Sequence, residues 1–234
     1  MFANYHTHTA RCHHATGEDK AYVEAAIQNG FQVLGFSDHC PWIFSDGYVS
    51  PIRMTPDELD GYVTSLTALK KEYAADITIY IGLESEYVPE MLPEQQKFLQ
   101  DYPIDYQILG EHFLYPEQRG IYTGRPTDNA AELKHYVDQV IAGMETGNYL
   151  YLAHPDLFHF IGDPALYEQE FRRLCVYLKE KQIPIEINQL GLADHRQYPN
   201  PAFLKIAESV GNTAIIGCDA HHPSALLDTD SQQA

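Results

Sequence analysis

Residues 32–39 have the sequence Gln-Val-Leu-Gly-Phe-Ser-Asp-His, an apolar run followed by an acid and a histidine. Similar combinations recur along the chain. The run Gln32–Ser37 is mostly apolar and does not alternate in polarity, which is typical of a strand buried on both faces of a sheet. An acid and a histidine, Asp38 and His39, follow at once. The stretch therefore predicts a buried strand that ends in residues able to bind a metal ion.

Six further runs of this kind alternate with segments of helical periodicity. The runs are Phe2–His6, Ile77–Leu83, Tyr106–Leu109, Tyr149–Ala153, Ile183–Ile187 and Thr213–Gly217. Helices are predicted at about Glu18–Gly30, Leu59–Tyr73, Leu133–Met144, Tyr167–Leu178 and Phe203–Val210. Repeated strand–helix units indicate a parallel sheet in an α/β protein, and seven strands favour a TIM-like barrel with one strand fewer. An open doubly wound sheet is the alternative, although no glycine-rich phosphate loop follows the first strand.

Residue types that bind metals follow the predicted strands. In chain order they are His6 and His8, Asp38 and His39, Glu84, Glu111 and His112, His154 and Asp156, Glu186, and Asp219 and His221. The carboxyl ends of the strands converge on one face of a parallel barrel, where active sites lie. The sequence therefore predicts that these distant residues meet in one pocket.

Each of these motifs is weak evidence when taken alone. His154-Pro155 could simply end a strand, and Glu84 could be a buried acid paired with an arginine. Their recurrence at almost every strand end is the informative feature. Imidazoles with carboxylates suit Zn, Fe(II) or Mn(II), and the lack of a thiolate cluster favours a catalytic over a structural site. His135, inside a predicted helix, and His195, in a polar loop, are not expected to be ligands.

The composition restricts the class of function. In this 234-residue chain, 44% hydrophobic residues provide for a sizeable core, and we expect one domain over residues 1–234. The net charge of −18 argues against a nucleic-acid partner and against an anionic membrane. No apolar run approaches the ~20 residues that cross a bilayer. Without a signal-peptide pattern or a disulfide-type cysteine spacing, a cytoplasmic protein is expected.

The strand-end motifs also come in a distinctive order. They are His6-Thr7-His8-Thr9, Ser37-Asp38-His39, Gly82-Leu83-Glu84, Gly110-Glu111-His112, Ala153-His154-Pro155-Asp156 and Asp219-Ala220-His221. As an ordered set they resemble those of the polymerase and histidinol phosphatase (PHP) family. Cys12-x-His14, Arg53-Met54 and the Glu186-Ile187-Asn188 segment are similar to its histidinol-phosphatase branch. The resemblance implies a distorted seven-stranded (β/α) barrel. Residues 223–234 have room for at most one short helix, where the family usually has a longer one.

The resemblance implies a site for two to three divalent Zn, Fe or Mn ions. The implied ligands are His6, His8, Glu84 and Asp219 for one ion, Glu84, His112 and His154 for a second, and His14, His39 and His221 for a third. Asp38 would hydrogen-bond a liganding imidazole and fix its tautomer. Glu84, Asp219 and His154 would be catalytic through a metal-bridging hydroxide that attacks phosphorus.

Three further residues are candidates for contacting the substrate. Arg53 is expected at the phosphate or in the pocket wall. The branch leads us to expect basic residues soon after His-Pro-Asp-Leu and after Glu-Ile-Asn, where this chain offers His159 and Arg196. If these two do not substitute, the phosphate is held less selectively.

The resemblance implies a hydrolase of a small-molecule phosphomonoester, with L-histidinol phosphate of histidine biosynthesis as the leading substrate. The alternatives are a phosphodiesterase or exonuclease, a phosphomonoesterase with a different substrate, a metal-binding module without turnover, and an amidohydrolase. The acidic charge argues against a nuclease, and the complete ligand set argues against an inert module. An amidohydrolase often has a bridging lysine, and none of the predicted strands ends in a lysine, which argues against this class. Cys12 or Cys40 as a nucleophile would be unnecessary beside metal-activated water.

Overall fold

A computed structural model describes residues 2–226 of the chain. In that range the order is β1 (Ala3–Asn4), α1 (Asp19–Gln28), β2 (Val33–His39), α2 (Leu59–Glu72), β3 (Thr78–Ser85), α3 (Leu92–Leu99), β4 (Tyr106–Leu109), α4 (Ala130–Glu145), α5 (Pro164–Glu180), β5 (Ile185–Asn188), α6 (Gln189–Ala193), α7 (Pro201–Val210) and β6 (Ala214–Gly217). The alternation of strands and helices confirms the α/β class. None of the helices in this range has the length and apolar character that a bilayer span requires.

Four strands form a sheet in the order β1-β2-β3-β4, and β5 pairs with β6 in a second sheet. β1, β2 and β3 run parallel. The register between β2 and β3 runs from the pair Val33–Thr78 to the pair His39–Glu84. A histidine and a glutamate predicted to bind metal therefore lie opposite each other where two neighbouring strands end.

The chain divides into two compact units. The first contains the described residues of Met1–Glu84, Pro89–Gln107 and Gly217–Ala234. Its core packs the buried faces of α1 and α2 against the apolar side chains of β2 and β3, including Tyr22, Leu34, Phe36, Tyr62, Leu66, Ile79 and Ile81. This packing fixes the two strands whose ends carry His39 and Glu84.

Two glycines in the first unit let a tyrosine lie against the sheet. A Cβ atom on Gly82 would lie 2.4 Å from ring atoms of Tyr106, and one on Gly35 would lie 2.3 Å from its hydroxyl oxygen. The hydroxyl donates to the carbonyl oxygens of Tyr5 (2.7 Å) and Phe36 (3.0 Å). The glycines thus allow one side chain to brace the first three strands just before their functional ends.

The second unit contains Ser85–Val88 and Ile108–Ile216. Its core joins the apolar stripes of α4, α5 and α7, including Leu133, Tyr136, Val137, Val140, Phe171, Leu174, Leu178, Phe203 and Ile206. The predicted helices therefore form in both units, each burying the stripe that indicated it.

The predicted strand Tyr149–Ala153 is wrong in extent, because it contributes only a bridging residue. Leu152 makes single parallel bridges to Leu109 and to Ile185. The next residue after the run, His154, has a φ of 63°, so the backbone turns out of the extended conformation at once. In the segment 223–234, for which at most one short helix is expected, Pro223–Leu226 forms a short 3-10 helix. Residues 227–234 lie outside the described range.

Candidate metal centre

The first unit gathers residues from the ends of its strands. They are His6 and His8 after β1, His14 after the 3-10 turn Ala10–Cys12, His39 at the end of β2, Glu84 near the end of β3, and Asp219 and His221 after β6. These are seven of the predicted metal ligands. A parallel bridge between Thr7 and Ala220 aligns the first and last of these segments.

An inner group of donor atoms is buried among the strand ends. The Nε2 atoms of His6 and His8 are 3.2 Å apart. Oδ1 of Asp219 lies 3.0 Å from Nε2 of His8 and 3.4 Å from Nε2 of His6. Oε2 of Glu84 lies 3.5 Å from His6 Nε2 and 3.2 Å from Nδ1 of His39. The donors converge as a shared cation requires.

Asp38 controls which nitrogen of His8 carries the proton. One carboxylate oxygen lies 3.3 Å from Nδ1 of His8 and also accepts the backbone N–H of His39 at 2.8 Å. The other accepts both the backbone N–H and the hydroxyl of Thr9. A carboxylate in this position keeps a proton on Nδ1, so that the nitrogen which loses its proton to bind a metal is Nε2. His8 therefore presents a ligand atom to the inner group.

An outer group consists of His14, His39 and His221, whose donor atoms lie within 4.8 Å of one another. Nδ1 of His14 is 2.7 Å from the carbonyl oxygen of Cys12, and Nδ1 of His221 is 2.9 Å from that of Asp219. Because carbonyls only accept, both Nδ1 atoms carry protons. The two Nε2 lone pairs then face each other at 3.0 Å. A cation between them would remove this repulsion, so the donor set fits a metal ion.

The ionisation states of Asp219 and His221 also suit metal binding. Burial raises the pKa of Asp219, but the charge of His6 and the hydrogen bond with His8 hold it well below its usual value. Burial and the neighbouring His8 lower the pKa of His221 to about 3. At neutral pH these residues are a carboxylate and a neutral imidazole, the forms that bind metals.

Cys12, a candidate nucleophile from the sequence, lies beside these groups. Its sulfur and donor atoms of His8 and His221 lie within 4.8 Å of one another. Burial raises the pKa of the Cys12 thiol, while its hydrogen bond with His8 opposes the rise. A neutral thiol is a weak nucleophile, which argues against covalent catalysis by Cys12. The Cys12-x-His14 spacing was the one sequence signal for the place of this thiol among the imidazoles.

Two predicted ligands, His112 and His154, belong to the second unit. Their ring centroids are 5.0 Å apart. Nδ1 of His112 lies 3.0 Å from Oε1 of Glu86, which favours a lone pair on its Nε2. His154 adopts a left-handed backbone conformation that is rare outside glycine and is concentrated at functional sites. The expected ion shared by Glu84, His112 and His154 draws on residues of both units and stays a prediction.

Glu111, another acid at a strand end, has a scaffold role. One carboxylate oxygen accepts the backbone N–H of Tyr87 at 3.1 Å, and the other accepts from Nε2 of Gln139 at 2.9 Å. Burial, and secondly the charge of Glu86, raise the pKa of Glu111 well above its usual value. These bonds tie the segment before His112 to α4.

Replacing Asp156 by asparagine should make the free energy of unfolding less dependent on pH. Burial raises the pKa of Asp156 from 3.8 to about 6, although the backbone N–H of Asn200 opposes the rise. Folding therefore takes up a proton between these values, and the wild-type free energy of unfolding falls as pH rises through them. The full effect is about 3 kcal/mol. Asparagine keeps an oxygen for Asn200 but does not titrate.

Urea denaturation at about pH 4 and about pH 7 would measure this effect, since all other carboxylates are common to both proteins. We expect Asp156→Asn to gain stability relative to wild type at the higher pH. An equal pH dependence in the two proteins would show that Asp156 does not titrate in this way.

The predicted substrate contacts have different surroundings. Arg53 is 1% exposed and donates from Nη1 to the carbonyl oxygen of Cys40 at 3.1 Å, next to His39. It lines a cavity of about 270 Å³ in the first unit. His159 is half-buried, and its backbone N–H donates to the carbonyl oxygen of Thr123. The side chain of Arg196 is 39% exposed.

Comparison with known proteins supplies a family and several relatives. The PHP domain family matches residues 4–190. A Deinococcus radiodurans protein named probable histidinol-phosphatase is 28% identical over 233 residues, which cover 94% of this chain and 86% of that protein. The histidinol-phosphatase of Bacillus subtilis is 34% identical over 115 residues, which cover 47% of this chain and 43% of that protein.

Two solved structures share the fold over almost the whole chain. The hisK protein of Listeria monocytogenes has a TM-score of 0.78 and 21% identity, with 99% of this chain and 100% of that chain covered. The histidinol phosphate phosphatase of Lactococcus lactis has a TM-score of 0.72 and 19% identity, with 99% and 91% covered. The Lactococcus structure is a complex with zinc, L-histidinol and phosphate.

Proposed function

Because the chain belongs to the PHP domain family, we propose that it is a metal-dependent phosphatase that converts L-histidinol phosphate to L-histidinol and phosphate. The match confirms the resemblance seen in the strand-end motifs. The observation that carries the proposal is the convergence of imidazole lone pairs and carboxylates in the first unit, with Nε2 atoms 3.2 and 3.0 Å apart in two pairs of histidines. Such a donor set suits a cation and hence a phosphate ester.

The proposed ions have separate sets of ligands. They are His6, His8, Glu84 and Asp219 for one ion, and His14, His39 and His221 for another. Zn, Fe(II) or Mn(II) suits these nitrogen and oxygen donors. Such ions, when bound, supply Lewis acidity toward phosphate oxygens and acidify water. A further ion at Glu84, His112 and His154 would bring the number to three.

The chain's own residues prepare this chemistry by holding protons. Asp38 holds a proton on Nδ1 of His8, and Glu86 does so on Nδ1 of His112, so that each Nε2 is a ligand atom. The ionised Asp219 supplies negative charge to balance the ions. His6 and His8 are fully buried, and electrostatic interactions among such groups are stronger than in water.

The proposed substrate rests on the relatives. A protein named histidinol-phosphatase aligns with 94% of this chain, and the Lactococcus structure holds both products of the proposed reaction. We assign Arg196 and His159 to the substrate's phosphate and Arg53 to the wall of the pocket. The small-molecule substrate and the chain's net charge of −18 argue against a nucleic-acid partner.

Family membership also supports proposals about the domain organisation, the barrel and the cellular location. We propose one PHP-type domain over residues 1–234 and the distorted seven-stranded barrel implied by the strand-end motifs. The proposed reaction belongs to small-molecule biosynthesis, for which the cytoplasm is the expected place.

We expect the metal-loaded protein to prefer p-nitrophenyl phosphate to bis(p-nitrophenyl) phosphate by roughly tenfold or more in kcat/KM, a difference of about 1.4 kcal/mol. The cationic site should favour a dianionic monoester over a monoanionic diester. Steady-state rates on both esters test this preference. Faster cleavage of the diester would favour a phosphodiesterase instead.

A further inference from the structure

Two hydrogen bonds join two loops of the second unit. Nε2 of Gln197 donates to the carbonyl oxygen of Leu157 at 2.8 Å. The backbone N–H of Asn200 donates to the carboxylate of Asp156. These bonds lie on either side of Tyr198 in the chain, so the backbone around this residue is fixed against the loop that follows His154.

The Tyr198 side chain continues this connection. It is 3% exposed, and its ring centroid is 6.0 Å from that of His154. A Cβ atom on Gly191 would lie 2.6 Å from a Tyr198 ring atom, so the ring is closely packed there. Its hydroxyl oxygen accepts a hydrogen bond from Nη1 of Arg196 at 3.1 Å. Tyr198 therefore links an expected metal ligand with an expected phosphate contact.

Arg196 uses different nitrogens for its two partners. Nη1 is held by Tyr198, whereas Nε and Nη2 donate to Oδ2 of Asp194 at 3.2 and 2.8 Å. The Nε–Nη2 edge is the fork with which arginine binds carboxylate or phosphate. The pair with Asp194 is exposed on both sides and so contributes little stability. A phosphate could replace Asp194 while Tyr198 keeps its hold on Nη1.

We propose that Tyr198 is a positioning residue that holds the guanidinium of Arg196 beside the His154 loop for the phosphate group of the substrate. The inference rests on the proposed function and adds the residue that makes Arg196 effective. On this account, the phosphate exchanges with Asp194 on the Nε–Nη2 edge, and Tyr198 never touches the reacting atoms.

The test compares Tyr198→Phe with wild type in zinc-loaded, full-length protein. The phenylalanine keeps the aromatic ring and removes the hydroxyl oxygen that accepts from Arg196. We expect the KM for L-histidinol phosphate and the Kd for inorganic phosphate to rise about fivefold, as for one lost hydrogen bond, with kcat and zinc content unchanged. Tyr115→Phe, the same change at an exposed tyrosine, is the matched control and should change neither constant.

A double-mutant cycle separates positioning from general structural damage. If Tyr198 acts through Arg196, Tyr198→Phe should have no further effect in an Arg196→Ala background. Additive effects, an unchanged KM and Kd, or a loss of zinc in Tyr198→Phe would overturn the inference.

Phosphate binding, measured by calorimetry, distinguishes this inference from the proposed function. A wild type that binds phosphate but does not hydrolyse histidinol phosphate would refute the proposed function, while weaker phosphate binding by Tyr198→Phe would still support the inference. An active wild type whose phosphate affinity is unchanged by Tyr198→Phe would refute the inference alone. A wild type that does not bind phosphate would refute both.

Discussion

Glu84→Gln should lose bound metal and hydrolytic activity together, with kcat/KM reduced by at least about 100-fold. Mutations of residues that only orient metal ligands cost up to about 100-fold, and Glu84 is expected to be a ligand itself. Oε2 of Glu84 lies within 3.6 Å of ligand nitrogens of His6, His8 and His39. The amide has no charge to balance a cation, and its NH2 group could place a donor in the coordination space. Elemental analysis of the purified proteins should find two to three ions in wild type and fewer in the variant.

Two control variants show whether such a loss is specific. Glu170→Gln makes the same change at a buried glutamate that pairs with Arg173 on α5, and it should keep metal and activity. His135→Ala removes an imidazole that bonds to the carbonyl oxygen of Leu114, and it should cost about 1 kcal/mol of stability without affecting the metals. Equal metal content and activity in Glu84→Gln and Glu170→Gln would show that the ligand assignment is wrong.

The helices that sequence patterns predicted are those with a long apolar stripe. α4 buries Leu133, Tyr136, Val137 and Val140, a spacing that is visible in the sequence and independent of distant contacts. The sequence pattern does not predict α3, because only two of its eight residues are buried. They are the polar Gln95 and the apolar Leu99. Local periodicity therefore indicated the helices with a long apolar stripe and missed one without such a stripe.

The short α6 depends on a cap instead of a stripe. Oδ1 of Asn188 accepts the backbone N–H of Gly191 at 2.9 Å, which begins a five-residue helix directly after β5. As a sequence pattern, the Glu186-Ile187-Asn188 segment indicates only a strand end with functional residues. A capping asparagine was a local signal that could have indicated this helix.

The residues of the candidate site were accessible to prediction for a topological reason. Parallel strands place their carboxyl ends together, so His39 and Glu84 could be expected to meet before their register was known. The extent of the run Tyr149–Ala153, which precedes His154, was harder to predict, because its pairing depends on partners distant in the chain. The sequence alone does not show that Leu152 is the residue of this run that makes strand bridges.

The orientation of polar side chains outside the strands could not be predicted. Arg53 matches a motif, but its burial against the Cys40 carbonyl depends on how residues 40–53 pack. Tyr198 belongs to none of the strand-end motifs, and its contact with Arg196 arises because the two residues lie in one loop of specific shape. Such contacts depend on tertiary packing, which a residue pattern does not specify.

The second large effect concerns the choice of substrate. We expect kcat/KM for L-histidinol phosphate to exceed that for glycerol phosphate, a nucleoside monophosphate and phosphotyrosine by about tenfold or more. The metals would bind the phosphate of each of these compounds, so discrimination must come from residues that contact the alcohol portion. The relatives named histidinol-phosphatase support the first compound.

Steady-state kinetics on this panel, with protein of known metal content, test whether the chain is a metal-dependent phosphatase of L-histidinol phosphate. We expect hydrolysis to require the bound metals and L-histidinol phosphate to give the highest kcat/KM. The assignment to histidinol phosphate would be contradicted if that compound were no better than the others, and the metal-dependent mechanism would be contradicted if chelator-treated, metal-free protein retained full activity.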